Sequence, residues 1–353
     1  MDKLGWGVLG SARIARKKVM PALMGAKEGR LVALASRDLS RAEAGLAEAL
    51  AEAALRGIYP QERPIACGSY EELLANPRVD AVYIPLPNSE HLAWAILALE
   101  AGKHVLLEKP GVLSGQEASQ LEATAARYPN LVVSEGLMFR NHPQWDLALN
   151  WIRDRRIGAL RSVQIQFSFY SQDPANIRNR KETGGGALLD LGCYTLAASR
   201  LIFGAEASAL RAVQSFNEAG VDVQTQAEMV FHPMSGAEAD GRAFWSTDIR
   251  AAYFQRLDIS GTLGRIFMER PFSPVYHEGV RPVLFGQSGN LLNDPEPLRA
   301  DHFILQADRF AQAVQGRVPL RPEEGLPDWA VQARYMDAVR DSAALDRWAA
   351  VLP

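Results

Sequence analysis

The chain has 353 residues, which is long for a single hydrophobic core and predicts two domains. Its 38 lysines and arginines stand against 41 acidic residues, so the net charge of -3 excludes the broad positive field that nucleic acid or an anionic membrane surface requires. The expected partner is therefore a small molecule, with no nucleic acid and no membrane involved.

The cysteine content and the start of the chain narrow the class further. Cys67 and Cys193 are too few and too far apart to form a disulfide framework or a zinc site, so no metal is predicted. The sequence starts without a signal-peptide hydrophobic region and has no uninterrupted apolar run of membrane length. These features predict a soluble, cytoplasmic protein.

The first strand and the turn after it are typical of a dinucleotide-binding unit. Leu4 to Leu9 predicts a buried strand, and residues 10–15 (GSARIA) open a helix that continues to Met24. The segment matches G-x-G-x-x-G/A with Ala12 in place of the middle glycine, which would still let the backbone approach a pyrophosphate. The alternative is a structural glycine turn without a ligand.

The end of the second strand bears on the choice of cofactor. Leu31 to Ala35 predicts this strand, followed by Ser36-Arg37 and a helix from Asp38 to Ala53 that carries Arg41 in its first turn. An acidic residue at this strand end would bind the ribose of NAD, whereas a hydroxyl and a guanidinium suit the 2′-phosphate of NADP. Alternatively, both arginines are solvated surface charges.

Strands and helices alternate from here to residue 134. The pattern predicts a short helix after the Ser69 capping box, a strand at Asp80 to Leu86, a helix at His91 to Ala101, a strand at His104 to Leu107, a helix at Ser114 to Arg127 and a last strand at Leu131 to Ser134. Such alternation predicts a parallel, doubly wound sheet. His91 either begins its helix with backbone contacts or contacts a ribose.

The strand at His104 to Leu107 breaks abruptly into Glu108-Lys109-Pro110. In an open α/β sheet, ligands bind beyond the carboxyl ends of the strands, so a lysine at this point is placed for chemistry. The alternative is a solvated strand end of no functional consequence.

After Glu135 the hydrophobic pattern changes to alternation with a period of two. Segments at Ser162 to Tyr170, Val221 to Phe231, Ala243 to Ile249, Tyr253 to Ser260 and Arg265 to Glu269 predict a mainly antiparallel sheet with one covered face. The other face is polar, flat and broad, which makes it a candidate dimer surface.

Two helices are predicted to complete the second domain. Asp301 to Gln315 carries Phe303, Ala307, Phe310 and Val314 on one stripe, and a second helix spans about Pro327 to Leu345. The predicted division is a dinucleotide-binding domain at 1–130 and a substrate-binding and oligomerisation domain at 131–353.

A second candidate site lies at Gly184 to Tyr194, where three glycines precede a helix. Asp190 and Tyr194 are four residues apart and share a helix face, so an acid and a phenol point the same way. The alternative is that Asp190 interacts with the helix dipole and Tyr194 is a packing residue. Arg178 would reach a substrate or form a surface salt bridge.

Together these segments, with Pro87-Asn88 and residues 139–143 (FRNHP), resemble the Gfo/Idh/MocA oxidoreductase family over essentially the whole chain. Tyr194, where many members carry histidine, resembles the branch of glucose-fructose oxidoreductase, dimeric dihydrodiol dehydrogenase and xylose dehydrogenase. The resemblance implies an α/β fold with an N-terminal Rossmann domain and a C-terminal α+β domain with an open, mainly antiparallel sheet. It also implies an active site in the cleft between them and a cis Lys109–Pro110 peptide bond.

The resemblance further implies hydride transfer between a nicotinamide and a sugar or a related polyol or diol. Tyr194 would be the acid/base and Lys109 would favour its phenolate, or the two roles would be exchanged, while Asp190 would anchor a substrate hydroxyl. NADP is the expected cofactor, with NAD possible. The expected cofactor contacts are Gly10, Ser11, Ala12, Arg13, Ile14, Ser36, Arg37, Arg41, Leu86, Asn88, His91, Glu108 and Lys109, and the expected substrate contacts are Lys109, Arg178, Asp190 and Tyr194.

Two other functions occur on the same fold: a sugar-sensing regulator without catalysis and a nicotinamide-dependent glycosidase. The first class tends to lose the lysine that Lys109 represents here, and the second relies on histidine-rich catalytic segments. Lys109 argues against a regulator and Tyr194 argues against a glycosidase, so both residues favour a dehydrogenase or reductase. The protein is expected to form a homodimer or a higher homo-oligomer through the second sheet.

Overall fold

The computed structural model describes residues 3–232 and 240–351. The chain divides into two compact units, Met1–Asn141 with Asp301–Ala330, and His142–Ala300 with Val331–Pro353. The segment Asp301–Ala330 thus belongs to the first unit, whereas the predicted division assigned it to the second domain.

The sheet of the first unit has six strands: β1 (Leu4–Leu9), β2 (Gly29–Ala35), β3 (Ile65–Cys67), β4 (Ala81–Ile84), β5 (His104–Leu107) and β6 (Val133–Glu135). Their order is β3-β2-β1-β4-β5-β6, and all neighbours are parallel. This is the order of the doubly wound dinucleotide-binding fold, whose chain reversal next to β1 creates the ligand crevice. The predicted Rossmann architecture is confirmed.

The α-helices are α1 (Met20–Gly25), α2 (Leu39–Leu55), α3 (Tyr70–Leu74), α4 (His91–Glu100), α5 (Gly115–Ala125), α6 (Pro143–Arg153), α7 (Cys193–Phe203), α8 (His302–Val314) and α9 (Leu326–Leu345). Side chains cap several of them. Asp38, Ser69 and Ser114 each accept the N–H three residues further on, which begins α2, α3 and α5. A π-helical turn, Ala15–Val19, leads into α1.

Helix α8 explains why the chain returns to the first unit. Its apolar stripe packs on the parallel sheet, where the ring of Phe310 lies 5.0 Å from that of Trp6 in β1. A β-bridge between Ser134 and Gly325 then adds a short contact along edge strand β6. The stripe itself was predicted, but an amphipathic pattern shows that a face is buried without naming the surface that buries it.

The second unit contains a nine-stranded sheet: β7 (Leu160–Tyr170), β8 (Ala209–Phe216), β9 (Asp222–Phe231), β10 (Gly241–Asp248), β11 (Arg250–Gly261), β12 (Gly264–Met268), β13 (Pro282–Gly286), β14 (Leu291–Asn293) and β15 (Ala349–Ala350). The order is β14-β13-β12-β11-β7-β10-β9-β8-β15. The β7–β10 pair is parallel and the other pairs are antiparallel, so the predicted open, mainly antiparallel sheet is confirmed.

The two faces of this sheet differ as the alternation predicts. On β7, Val163, Ile165 and Phe167 are buried beneath α7, whereas Gln164 and Gln166 are exposed. The stretch Lys181–Phe203, which includes α7, is long and apolar enough by composition to cross a membrane, yet 89% of its apolar window is buried inside the protein. Such burial is typical of a core helix.

Candidate active site

The turn after β1 packs closely against Leu86 and leads into a helix, and we call this turn the cradle. Gly10 has φ +110°, and a Cβ at this position would lie 2.6 Å from Cδ2 of Leu86. Ser11 is buried against Gly45 of α2, and a helix begins immediately after it, with Arg13 exposed and Ala12 and Ile14 half-buried. Because the first N–H groups of a helix have no intrahelical partners and attract anions, the cradle fits the pyrophosphate of a dinucleotide.

Two arginines follow β2. Ser36 is buried, and both Arg37 and Arg41 are exposed, without an ion pair to any residue that the structure describes. The intervening Asp38 caps α2, accepting hydrogen bonds from the Ser40 hydroxyl at 2.7 Å and the Arg41 N–H at 2.9 Å, and these bonds lower the pKa of its carboxyl. The acid beside Arg37 is therefore occupied in the helix cap, and the free cationic edge fits a 2′-phosphate.

The loop between β4 and α4 carries Leu86, Asn88 and His91. Leu86 and His91 are buried and Asn88 is half-buried. The ring nitrogens of His91 lie 2.9 Å from the carbonyl oxygens of Leu86 and Pro110, which is the backbone-contact role among the two predicted. Burial lowers the pKa of His91 to about 4, although the two carbonyls act in the opposite direction.

The turn after β5 holds the predicted lysine. The Lys109–Pro110 peptide bond is cis, as predicted. Glu108 accepts the Tyr83 hydroxyl at 2.9 Å and the Lys109 N–H at 2.8 Å, while the Lys109 side chain is half-buried. Glu108, which is itself part of this turn, therefore stabilises the backbone at Lys109.

A residue that the sequence pattern did not single out lies behind the same turn. Glu135, the last residue of β6, accepts the Gly111 N–H at 2.9 Å and is 5% exposed. Burial raises the pKa of this carboxyl to about 7. An acid at the end of a short buried strand is the one signal in the sequence that points to Glu135.

In the second unit, a π-helical turn, Leu188–Gly192, leads into α7 and carries Asp190. Asp190 is buried and accepts the Arg178 Nε–H at 2.7 Å, so the structure joins these two predicted residues in an ion pair. The Arg178 side chain is 41% exposed. Tyr194 is buried in an aromatic wall, with ring centroids 5.6 Å from Phe167 and 5.4 Å from Phe272.

The glycine run is anchored by an acid on β9 that the sequence pattern assigned to a polar strand face. Gly186 has φ +123°, and a Cβ there would lie 1.9 Å from Oδ1 of Asp222. The other oxygen of Asp222 accepts the Leu188 N–H at 2.7 Å and the Thr225 hydroxyl at 3.0 Å. Burial raises the pKa of Asp222 to about 6. Asp222 thus fixes the start of the helical segment that carries Asp190 and Tyr194.

Buried polar side chains also hold the segment around Phe272. Oε1 of Gln255 accepts the N–H groups of Phe272 and Ser273, both at 3.2 Å, and Nε1 of Trp145 donates to the Pro271 carbonyl at 2.8 Å. These hydrogen bonds fix the backbone around Phe272, whose ring packs on Tyr194.

Within residues 3–232 and 240–351, the structure contains no cluster of three or more His, Cys, Asp or Glu side chains arranged to hold a metal ion. Lys109 belongs to the first unit, whereas Arg178, Asp190 and Tyr194 belong to the second.

Comparison with known proteins identifies the chain's relatives. Residues 4–136 match the oxidoreductase family with an NAD-binding Rossmann fold, and residues 145–267 match the GFO/IDH/MocA C-terminal domain. The chain belongs to the Gfo/Idh/MocA oxidoreductase family.

Two relatives and one solved structure illustrate the range of similarity. An uncharacterised oxidoreductase, ORF334 of Rhizobium meliloti, is 37% identical over 99% of this chain and 100% of its own. An NADP(+)-dependent D-xylose 1-dehydrogenase of Haloferax volcanii is 33% identical over 96% of this chain and 97% of its own. A tyrosine-to-phenylalanine variant of KijD10, a 3-ketoreductase from Actinomadura kijaniata solved with TDP-benzene and NADP, aligns with a TM-score of 0.82 at 31% identity over 97% of this chain and 98% of its own.

These relatives confirm the predicted family and the branch that includes xylose dehydrogenase. The chain is an NAD(P)-dependent oxidoreductase of this family, and its α/β fold matches that of KijD10.

Proposed function

We propose that the chain is an NADP-dependent oxidoreductase that transfers a hydride between the nicotinamide and a carbon of a sugar or a related polyol or diol, with NAD as a possible substitute. One observation carries the proposal. Lys109 lies just beyond the end of β5, at the carboxyl end of the parallel sheet whose first turn, at Gly10, leads into a helix. Ligands of this fold bind at that end.

The nicotinamide supplies the hydride acceptor or donor when bound. The chain must then move the proton of the reacting hydroxyl, and we assign that step to Lys109 and Tyr194. An ammonium beside a phenol favours the phenolate, and a positioned acid/base contributes roughly 10²–10⁴-fold in rate. Solved KijD10 variants with one tyrosine or one lysine replaced retain complexes with TDP-benzene and NADP, so residues of these two types are also of interest in that relative.

We assign substrate binding to the second unit's ion pair. The Asp190 carboxylate accepts hydrogen bonds and the exposed part of the Arg178 guanidinium donates them, which suits vicinal hydroxyls. The rings of Phe167 and Phe272 are buried and pack on Tyr194, so we assign them to holding the phenol in place. Relatives named for D-xylose and for TDP-linked ligands support a sugar substrate, either free or nucleotide-linked.

The proposed preference for NADP rests on Arg37 and Arg41, because the neighbouring Asp38 is engaged in the cap of α2. We also propose a cytoplasmic location and a homodimer, or a higher homo-oligomer, formed through the outer face of the nine-stranded sheet. That face exposes Val213 at 61% and Phe244 at 40% among polar neighbours.

A spectrophotometric screen tests the proposal. D-xylose, D-glucose, cyclohexane-1,2-diol and a TDP-linked keto sugar are mixed with the protein and either NADP or NAD, in the appropriate redox state, and nicotinamide absorbance is followed. Turnover of at least one sugar that is abolished in Lys109→Met supports the proposal. Tight cofactor binding without turnover would instead indicate a regulator, and sugar cleavage without net change in the cofactor would indicate a glycosidase.

A further inference from the structure

One peptide unit in the lysine turn is held at both of its polar atoms. The unit joins Pro110 to Gly111. Its carbonyl oxygen lies 2.9 Å from Nδ1 of His91, and its N–H donates to Oε1 of Glu135 at 2.9 Å. His91 is 0% exposed and Glu135 is 5% exposed. We call this arrangement the peptide clamp.

The two arms of the clamp come from the strands on either side of β5. His91 begins α4, which follows β4, and Glu135 is the last residue of β6. Because β5 lies between β4 and β6, His91, which follows β4, and Glu135, which ends β6, contact the turn at the carboxyl end of β5 from either side. The clamped peptide begins one residue after Lys109, so a shift of the clamp moves the lysine backbone.

This arrangement is costly for stability alone. Burying a carboxylate and an imidazole requires desolvating both, and Oε2 of Glu135 has no hydrogen-bond partner among the described residues. Apolar side chains of similar volume would fill the same space with less penalty. Departures from the most stable choice concentrate at functional sites, which points to a role in the turn's function.

We propose that His91 and Glu135 are positioning residues for Lys109, acting by clamping the Pro110–Gly111 peptide. The inference rests on the proposed function, in which Lys109 contacts the reacting oxygen. A displacement of about 1 Å at a reacting group can reduce the rate by as much as about 10²-fold, so the clamp matters for kcat even though neither side chain need touch the substrate.

Matched variants of Glu135 separate positioning from folding. Glu135→Gln keeps an oxygen that accepts the Gly111 N–H, whereas Glu135→Met fills the space without an acceptor. Ser134→Ala is the control, because it removes a buried hydrogen bond from the adjacent residue to the Glu324 carbonyl, at 2.8 Å, without touching the turn. On the other arm, His91→Ala is compared with His104→Ala, which loses the bond from the Val132 N–H at the opposite end of β5.

Three quantities are measured on the full chain: amide exchange at Gly111 by NMR without cofactor, the dissociation constant of NADPH, and kcat with NADP and D-xylose or another sugar turned over in the screen. The clamp predicts that Glu135→Met speeds Gly111 exchange and lowers kcat by about 10–100-fold. The same variant should keep the NADPH dissociation constant within about threefold, although it leaves the buried Gly111 N–H without an acceptor and is therefore expected to lower the stability. Glu135→Gln should restore both Gly111 protection and kcat.

If Glu135 had only a structural role, a comparable loss of stability in Ser134→Ala would lower kcat as much as Glu135→Met does, and that result would overturn the clamp. Unchanged Gly111 exchange in Glu135→Met would overturn it as well. His91→Ala should lower kcat by more than His104→Ala, and equal effects would contradict the clamp. Failure of the proposed function gives a different result. Full turnover in Lys109→Met would show that the lysine has no role in catalysis, whereas Gly111 exchange would still show whether the clamp holds the peptide.

Discussion

At the scale of single residues, Arg37 and Arg41 are the charges that bear most on cofactor choice. Both are exposed beside the end of β2, and the acid between them is engaged as a helix cap. The sequence predicted a cationic site from residue types alone. The sequence did not show that the Asp38 carboxylate caps α2, because capping depends on the residue at which the helix begins.

The first prediction concerns Arg37→Ala. A guanidinium–phosphate hydrogen bond contributes about 1.5–3 kcal/mol, so the ratio of kcat/KM for NADP to that for NAD should fall about ten- to a hundredfold. Arg63→Ala is the control, since Arg63 is also exposed but precedes β3, at the amino end of the parallel strands, whereas Arg37 follows the carboxyl end of β2. Equal parent values for the two cofactors, or an unchanged ratio in Arg37→Ala, would refute the assignment.

The second prediction concerns the pH dependence of stability at Glu135. Burial raises the pKa of its carboxyl from 4.5 to about 7, with Asp328 and Glu108 adding to the rise and Arg140 opposing it. Because the folded state holds this proton at higher pH than the unfolded state, the stabilisation is complete below about pH 4.5 and is lost as the pH rises through about 7.

Glu135→Gln removes this titration. Relative to the parent, the variant should gain about 2–3 kcal/mol in the free energy of unfolding between about pH 5 and pH 8, at about 1.4 kcal/mol per unit of pKa. Urea unfolding of both proteins at the two pH values measures the difference, in which the titrations of His91 and other groups cancel. A constant difference would show that Glu135 is ionised in the folded protein throughout this range.

At the scale of elements, most strands and helices of the first unit could be predicted because their periodicity and caps are local. Helix α2 begins after Asp38 and β5 spans His104–Leu107, close to the positions that the pattern indicated. The anchoring of the Gly184–Tyr194 segment was not predictable, because Asp222 reaches it from a strand more than thirty residues further along the chain. Such contacts depend on register between distant elements, which alternation alone does not determine.

The third prediction tests that anchor. Gly186→Ala should destabilise the protein by at least about 2–3 kcal/mol, since a Cβ would meet Asp222 at 1.9 Å in a backbone conformation with φ +123°. Gly204→Ala is the matched control: φ is +59° at the end of α7, but no described atom lies within 4 Å of the added carbon, so the expected loss is only about 1 kcal/mol. Chemical denaturation measures the free energy of unfolding of both variants. Equal losses would mean that Asp222 can move away from the added Cβ without destabilising the protein.

At the scale of the whole molecule, the family and the two kinds of sheet follow from the sequence, whereas the return of Asp301–Ala330 to the first unit does not. The face of α8 that packs on Trp6 is visible in the sequence as a stripe, but its partner lies about three hundred residues away in the chain. In the part of the chain that the structure describes, the outer face of the nine-stranded sheet exposes residues such as Gln164, Gln166 and Phe244, and its proposed role in a homodimer stays a prediction.

The fourth prediction addresses that homodimer. Phe244 lies on β10 opposite Glu228 of β9, which is already paired with Arg242, so Phe244→Arg adds a positive charge to the proposed interface. The parent should elute as a dimer or larger oligomer in size-exclusion chromatography with light scattering, and the variant as a monomer. Leu55→Arg, at a residue 83% exposed in the first unit, should leave the parent assembly intact. A parent that is monomeric, or a variant that is still assembled, would contradict this interface.

The most direct test of the central claim, hydride transfer from a sugar carbon to the nicotinamide, is mass spectrometry of the reduced cofactor. The protein is incubated with NADP and a sugar deuterated at every carbon, beginning with D-xylose. We expect one deuterium in each NADPH formed, at a rate about 10²–10⁴-fold lower in Tyr194→Phe although that variant still binds the cofactor. NADPH without deuterium, or no NADPH from any sugar of the screen with a folded, cofactor-binding protein, would contradict hydride transfer from a sugar carbon.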